Sequence, residues 1–253
     1  MLEVLYYDRE GIYRTLAESL VIGGLPMRTD NFTGEDLKNE IERVLGWIRD
    51  VDIHKHEIIE LVDENGRSFL DIENNLNHTY WKEFGKYYRR GKNLGQVKPG
   101  SGHNSMYKGV TFNMVIKFPL YWLKEYQRYH FTDIVSSQST MHKILEFDLA
   151  KMFGDEVDPR CIAVIEELRD EYNNETNKDK KRDIWRRIIN SCPDGLHMVM
   201  GITINYLQAT SIYYQRRNHK LKEEWGVFCD FIEELPLFKI LLLGNKDDKN
   251  KFQ

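Results

Sequence analysis

Two hydrophobic repeats run along the chain, and together they require both helices and strands. One repeat has the helical period of about 3.6 residues and places five apolar residues on one helix face: Leu37, Ile41, Val44, Leu45 and Ile48. The other has the period of two that is typical of a strand, and it covers residues 111–117. Thr33 and Asp36 have the spacing of a capping box, so we expect the first helix to begin there.

Other segments carry weaker signals. Asn65-Gly66 supplies the positive φ that a tight hairpin turn needs, and the basic, Gly-rich segment 86–103 is typical of an exposed loop. The charges at 171–187 fit a helix with a solvated face. The remaining predictions are a strand at 3–7, a hairpin at 53–74, a helix at 121–130, a helix from Asp158-Pro159, a long core helix at 194–217 and a last helix at 220–234.

Composition limits the class of protein. The chain has 253 residues, 41% of them apolar, so one sizeable core and a single domain are expected. The net charge of -4 offers no global positive field for duplex DNA. Cys161, Cys192 and Cys229 lack CxxC spacing, which argues against a disulfide framework and against zinc. With an acidic N-terminal segment and no long apolar stretch, we expect a cytoplasmic protein without a membrane contact.

One segment carries a family resemblance. Residues 100–105, GSGHNS, are by themselves a weak phosphate-loop signal, because the Lys-Ser/Thr ending is missing. The longer stretch 102–131, however, resembles without gaps the region GHxSxxEHxxFTFxIxxPIxxxRQxxRHR of the flavin-dependent thymidylate synthases. The matching positions are His103, Ser105, Phe112, Ile116, Pro119 and Arg128.

A second match lies further along the chain. The segment INYLQATSIYYQRR-NHKLKEEW resembles the family's helix vNaRSlxxFLxLR, which is followed by a His-containing turn and AQWE. Asn205, Arg216 and Trp225 are the best aligned residues. Because the spacing from Arg216 to Trp225 is longer than in the family, Arg216 and Arg217 compete for one role.

The resemblance implies a fold and an assembly. The family fold is α+β, a mixed sheet flanked by helices, and it forms a homotetramer whose sites are each built from several subunits. Applied to this chain, the resemblance implies one domain over residues 1–253. Residues 53–98 have no clear counterpart, so we read them as an inserted segment that contains the hairpin.

The resemblance also implies a chemistry: methylation at C5 of a pyrimidine deoxynucleotide such as dUMP. Methylenetetrahydrofolate would supply the one-carbon unit and reduced FAD the hydride, with NADPH reducing the flavin. Arg216 would be catalytic, since a fixed cation polarises the uracil ring. The residues implied to bind FAD are His103, Ser105, Arg128, His130, Asn205 and Ser211.

The nucleotide motif departs from the family. The family reads RHRxxSxNExSxRY, and this chain reads RYHFTDIVSSQSTMH from Arg128 to His142. The motif's glutamate is absent, replaced by Ser136 or Ser137, and either Ser139 or Gln138 takes the motif's serine, depending on one inserted residue. With that inserted residue the closing Arg-Tyr becomes Met141-His142, and in either alignment an upstream glutamine becomes Glu125. The implied substrate contacts are Glu125, Ser137, Gln138, Ser139, Arg216 and Arg217.

These departures leave several functions open. The chain could be an active synthase, a catalytically altered or inactive relative that binds nucleotide and flavin, or a sister enzyme of the pyrimidine C5-hydroxymethylase type. An unrelated helical interaction protein, with chance matches, is the remaining alternative.

Overall fold

A computed structural model describes residues 1–29, 31–53, 58–62, 68–72, 78–97 and 102–243. Its strands are β1 (Glu3–Tyr7), β2 (Ile58–Val62), β3 (Ser68–Ile72), β4 (Thr111–Pro119), β5 (Asp133–Ser137) and β6 (His197–Asn205). Its α-helices are α1 (Arg9–Ile22), α2 (Gly34–Ile53), α3 (His78–Gly95), α4 (Leu120–Tyr126), α5 (Thr140–Lys143), α6 (Leu149–Met152), α7 (Pro159–Asn174), α8 (Lys178–Ser191), α9 (Tyr206–Arg216) and α10 (Val227–Glu233). Across these ranges, no helix combines the length and the apolar character that crossing a membrane requires.

The chain divides into two compact units, each assembled from separate segments. Unit 1 comprises Met1–Tyr7, Asn113–Thr203 and Asn218–Phe228. Unit 2 comprises Asp8–Phe112, Ile204–Arg217 and Cys229–Gln253. The single domain and the insertion at 53–98 stay predictions.

A four-stranded sheet in the order β1-β4-β6-β5 organises the fold. β1 pairs antiparallel with β4, and β5 pairs antiparallel with β6. The inner strands β4 and β6 bury alternate residues, as the period-two repeat at 111–117 predicted for β4. Helices account for most of the remaining chain, which confirms the α+β class.

The predicted long helix at 194–217 is wrong in its first half. Residues His197–Asn205 form β6, and the helix α9 begins only at Tyr206. The Asn205 side chain is the N-cap of α9, since its Oδ1 accepts a hydrogen bond of 2.8 Å from the Gln208 backbone N–H. No residue of β6 is exposed, since buried and half-buried residues alternate along it. A strand covered on both faces has an almost continuously apolar sequence, which resembles that of a buried helix.

The predicted loop at 86–103 is also wrong over most of its length, because α3 extends to Gly95. Phe84, Tyr87 and Tyr88 are buried at helical spacing on one face of α3. Gly91 and Gly95 continue that face, and a Cβ at Gly91 would lie 2.6 Å from Leu20 Cδ2. The glycines that indicated a loop therefore allow α3 to pack closely against its neighbours.

Gly95 gives a direct test of this packing. A Cβ at Gly95 would overlap the backbone carbonyl oxygen of Leu241, which cannot rotate away. We expect Gly95→Ala to lower the free energy of unfolding by about 1–3 kcal/mol, the usual cost of overpacking. Denaturant unfolding of the purified variant measures the change.

Gly46 provides the matched control. It is exposed within α2, and a Cβ there would meet nothing within 4 Å. Gly46→Ala should therefore stabilise the chain by roughly 0.5–1 kcal/mol, because alanine loses less backbone entropy in a helix. Equal effects of the two substitutions would contradict the role given to Gly95.

Most other predicted elements are confirmed. Thr33 and Asp36 form the capping box, with Asp36 N donating to Thr33 Oγ1 at 3.2 Å and Thr33 N donating to Asp36 Oδ2 at 2.8 Å. Strands β2 and β3 pair antiparallel as the predicted hairpin, although its Asn65-Gly66 turn lies outside the described residues. Asp158 caps α7 as expected.

Two helices are shorter than predicted. α4 ends at Tyr126, so Arg128 and His130 lie beyond it instead of within a helix at 121–130. The predicted helix at 220–234 is a π turn, Lys222–Gly226, followed by α10.

Candidate functional site

In unit 2, the turn His103–Lys108 carries the first set of predicted ligand residues. Gly102 precedes it with a positive φ of 77°, a conformation that glycine adopts without strain. Tyr107 is buried, and its hydroxyl donates to the Gly91 carbonyl oxygen at 2.8 Å. This anchor leaves His103 and Ser105 exposed.

The same turn packs against α9, which carries the second set of predicted residues. The Tyr206 backbone N–H donates to the Val110 carbonyl at 2.9 Å, and the rings of Phe112 and Tyr206 lie 6.1 Å apart. The two segments that resemble the flavin-dependent synthases are thus neighbours within unit 2. Their individual roles stay predictions.

Local hydrogen bonds restrict how three of these side chains could hold a ligand. Ser105 Oγ donates to Gly102 O at 2.7 Å, and Ser211 Oγ donates to Leu207 O at 3.2 Å. A hydroxyl has one proton to donate, so each serine in this conformation can only accept from a ligand. Asn205 uses its carbonyl oxygen as the α9 cap, which leaves its NH₂ group as the donor.

At the C-terminal end of α9, Arg217 takes part in a charged cluster. Its guanidinium pairs with Asp230 and lies 3.6 Å from Glu233 Oε1. Glu233 also accepts from the Tyr213 hydroxyl at 2.6 Å and lies 3.3 Å from Lys239 Nζ. Arg217 is therefore already neutralised within unit 2.

The Glu233 carboxylate should make stability depend on pH. Burial raises its pKa, but the hydrogen bond from Tyr213 and the charge of Lys239 outweigh burial, so the pKa is lowered. A lowered pKa contributes stability above the carboxyl's ordinary value of about 4.3, and this contribution disappears as the pH falls through the lowered pKa. We expect Glu233→Gln to be less stable than the parent at neutral pH, with the difference closing in acid.

Denaturant unfolding of both proteins across this pH range measures the difference. Glu234→Gln, at the neighbouring exposed position, is the control and should stay close to the parent. A gap between Glu233→Gln and the parent that persists or widens in acid would contradict this role of Glu233.

In unit 1, Glu125 and Trp225 bring the two resembling segments together again. Trp225 is fully buried, and its Nε1 donates to Glu125 Oε2 at 3.0 Å. His219 Nε2 lies 3.6 Å from the same carboxylate oxygen. Glu125, predicted as a substrate contact, therefore also positions Trp225.

Arg128 and His130 are exposed beyond the end of α4. The Arg128 backbone N–H donates to Glu125 O at 3.3 Å, which holds the segment in a final turn. Among the described residues, the Arg128 guanidinium has no ion pair. A cation without a carboxylate partner is suited to bind a phosphate.

The nucleotide motif side chains in unit 1 are partly used by the fold. Gln138 Oε1 accepts from Val199 N at 2.9 Å, and Ser139 Oγ caps α5 by accepting from His142 N at 3.3 Å. Ser137 is exposed at the end of β5. Substrate binding by these residues stays a prediction.

Two of the three cysteines, Cys192 and Cys229, have the properties of packing residues, whereas Cys161 is exposed. Burial raises the pKa of the Cys192 thiol to about 11 and that of the Cys229 thiol to about 12. Both thiols are protonated at neutral pH and are weak nucleophiles. Within the described part of the chain, no group of three His, Cys, Asp or Glu residues could hold a metal ion.

A basic cleft along α7 and α8 was missed by sequence reasoning, which assigned these charges to a solvated face. Tyr172 and Trp185 contribute to its lining, together with Lys181 and Arg182. Two aromatic residues, Tyr172 and Trp185, occur within this strongly charged segment. They were the signal that could have indicated a cleft, since a fully solvated helix face is composed mainly of polar residues.

Of the comparisons with known proteins, the one with solved structures found similar proteins. No protein-family model and no curated protein sequence matches the chain. The structure is similar to that of Thymidylate Synthase X (ThyX) from Helicobacter pylori with FAD and dUMP, with a TM-score of 0.51, 12% identity and 97% of each chain covered. A flavin-dependent thymidylate synthase ThyX from Helicobacter pylori complexed with FAD and dUMP has a TM-score of 0.50 and 14% identity, covering 95% of this chain and 99% of that chain.

These similarities show that the chain has the fold of the flavin-dependent thymidylate synthases, as its two motif segments predicted. At this level of identity the likeness concerns the fold alone.

Proposed function

We propose that the chain is a flavin-dependent enzyme that methylates C5 of a pyrimidine deoxynucleotide such as dUMP. The one-carbon donor is methylenetetrahydrofolate, and NADPH is the reductant. The proposal is carried by one coincidence: residues that resemble the family's flavin and nucleotide segments occur in a chain with the family's fold. If the sequence matches were due to chance, there would be no reason for the chain to have that fold.

The residues present fit a flavin dinucleotide in their chemistry. FAD carries two phosphates and a polar ring system, and it supplies the hydride when it is bound. Arg128 and His103 are exposed cationic or hydrogen-bonding groups, and Asn205 offers an amide donor. His130, Ser105 and Ser211 complete the proposed set. In the proposed homotetramer, several subunits contribute to each site.

Arg216 is the proposed catalytic residue. In the resemblance Arg216 is the better aligned of the two arginines, and we assign a secondary contact with substrate to Arg217, which pairs with Asp230 and lies 3.6 Å from Glu233. A guanidinium held beside a uracil carbonyl would stabilise the negative charge on the ring that makes C5 nucleophilic. No cysteine nucleophile is needed.

The same structure supports a second candidate, a relative that binds nucleotide and flavin without turnover. Gln138 and Ser139 both use their side chains to hold backbone. Each keeps its donor group for the substrate, but its acceptor oxygen is already used once, and the motif's glutamate is absent. A site with fewer contacts could bind a nucleotide and still fail to align it.

A turnover assay separates these functions. The purified protein is loaded with FAD and given dUMP, methylenetetrahydrofolate and NADPH, and the nucleotide products are identified by mass. Thymidylate supports the first proposal, and a hydroxymethylated product indicates the C5-hydroxymethylase type. Binding of FAD and dUMP without product supports the second candidate, and binding of neither overturns both.

A further inference from the structure

The basic cleft in unit 1 has the size and the chemistry of a ligand site. It has a volume of about 480 Å³, within the range of roughly 300–1,000 Å³ that small-molecule sites occupy. Its charged and aromatic lining comes from α5, α7 and α8: His142, Tyr172, Lys178, Lys181, Arg182 and Trp185.

The charge of the cleft favours an anion. Three lining residues are cationic, and none of the described lining residues is acidic. Glu175 lies near enough to Lys181 for their charges to interact, but its carboxylate accepts hydrogen bonds from the backbone N–H groups of Thr176 and Asn177 at 2.8 Å each. Among the described residues, no ion pair neutralises Lys178, Lys181 or Arg182.

The aromatic residues hold the cleft in shape. Lys181 Nζ lies 4.6 Å from the centroid of the Tyr172 ring, so a cation–π interaction with the ring helps to position this cation. Trp185 Nε1 donates to the Met141 carbonyl oxygen at 3.2 Å. This bond joins α8 to the segment at which the nucleotide motif ends.

That junction links the cleft to the nucleotide motif. In the resemblance with one inserted residue, Met141-His142 replaces the motif's closing Arg-Tyr, and in either alignment the motif's arginine is absent. Lys178, Lys181 and Arg182 at the start of α8 line the same cleft as these two residues. We propose that Lys181 and Arg182 hold the phosphate of the nucleotide substrate in this cleft, in place of the arginine missing from the motif. This inference rests on the proposed function.

The experiment compares the binding of dUMP with that of deoxyuridine, which lacks the phosphate. The test variant is Lys181→Gln with Arg182→Gln in the FAD-loaded protein. The control is Lys180→Gln with Arg186→Gln, which removes the same charge from exposed positions of α8 outside the cleft lining. Calorimetric titration at fixed ionic strength gives the dissociation constants, and circular dichroism verifies that both variants are folded.

We expect the test variant to bind dUMP about 10- to 100-fold more weakly, because each lost charge-assisted contact costs about tenfold or more. Deoxyuridine binding should be unchanged, and inorganic phosphate should compete with dUMP in the parent and lose this effect in the test variant. The control should bind dUMP as the parent does.

The contrary results are distinct. If the test variant binds dUMP as tightly as the parent, or if both variants lose the same affinity, the cleft does not hold the phosphate and the inference is overturned, while thymidylate formation by the parent would leave the proposed function standing. If the FAD-loaded parent binds no dUMP, the proposed function fails and this inference fails with it.

Discussion

Replacing Arg216 with alanine should lower the rate of dUMP-dependent oxidation of reduced FAD by roughly 100- to 1,000-fold, the usual cost of removing one group that stabilises developing charge. The reason is its proposed role beside the uracil ring. Arg216 is the last residue of α9, the helix that packs against the turn carrying His103 and Ser105. Stopped-flow measurement of flavin absorbance gives the rate. Arg216→Lys should recover only part of it, because an ammonium lacks the planar fork of donors.

Arg217→Ala is the control for Arg216. Its guanidinium serves the cluster with Asp230 and Glu233, so the variant should keep turnover within severalfold of the parent. The ion pairs are exposed enough that the expected loss of stability is at most about 1 kcal/mol. If Arg217→Ala abolished turnover and Arg216→Ala did not, the assignment of the two arginines would be reversed.

Replacing Trp225 with alanine should lower the free energy of unfolding by about 3–5 kcal/mol, the cost of removing a large buried aromatic side chain. The Trp225 ring is fully buried, and its centroid lies 4.9 Å from that of Trp122 and 6.1 Å from that of Phe228. Its loss would leave a cavity within unit 1 and remove the donor to Glu125. Chemical denaturation measures the change.

Two milder variants separate the contributions of Trp225. Trp225→Phe keeps most of the ring contact and should recover more than half of the loss. Glu125→Gln keeps an oxygen that can accept from Trp225 Nε1, so it should leave stability nearly unchanged. A Trp225→Ala variant as stable as the parent would show that this aromatic cluster does not support the fold.

The sequence predicted elements well where one period was unambiguous. The α2 face from Leu37 to Ile48 and the alternation in β4 each matched a single type of structure. The capping box at Thr33 and Asp36 was equally local, since both partners lie within one turn. Such signals need no knowledge of the rest of the chain.

Sequence-based predictions of helices, strands and loops failed where tertiary packing determined the structure. Met198, Met200 and Ile202 lie in an inner strand, but only pairing on both sides makes that run a strand. Gly91 and Gly95 looked like loop residues because their use depends on the helix neighbours they approach. Local sequence contains neither kind of information.

The candidate site shows the same limit. The resemblance places Arg216 and Arg217 in competition for one role, and the ion pair of Arg217 with Asp230 is a tertiary contact that local sequence does not reveal. The resemblance also assigns Gln138 and Ser139 to the substrate, which stays a prediction, and the structure adds that each side chain accepts a backbone hydrogen bond. The sequence did not reveal that the cations of α8 line a cleft, because no motif contains them. Their position in one cleft with Met141 and His142 depends on the fold.

Titration of the purified protein with FAD, followed by visible absorption, shows whether the chain is a flavoprotein. We expect the protein to bind FAD with a shifted flavin spectrum, and we expect His103→Ala and Arg128→Ala each to weaken this binding while an Arg186→Ala control does not. A protein that stays colourless after incubation with FAD and removal of the free flavin would overturn the proposed function.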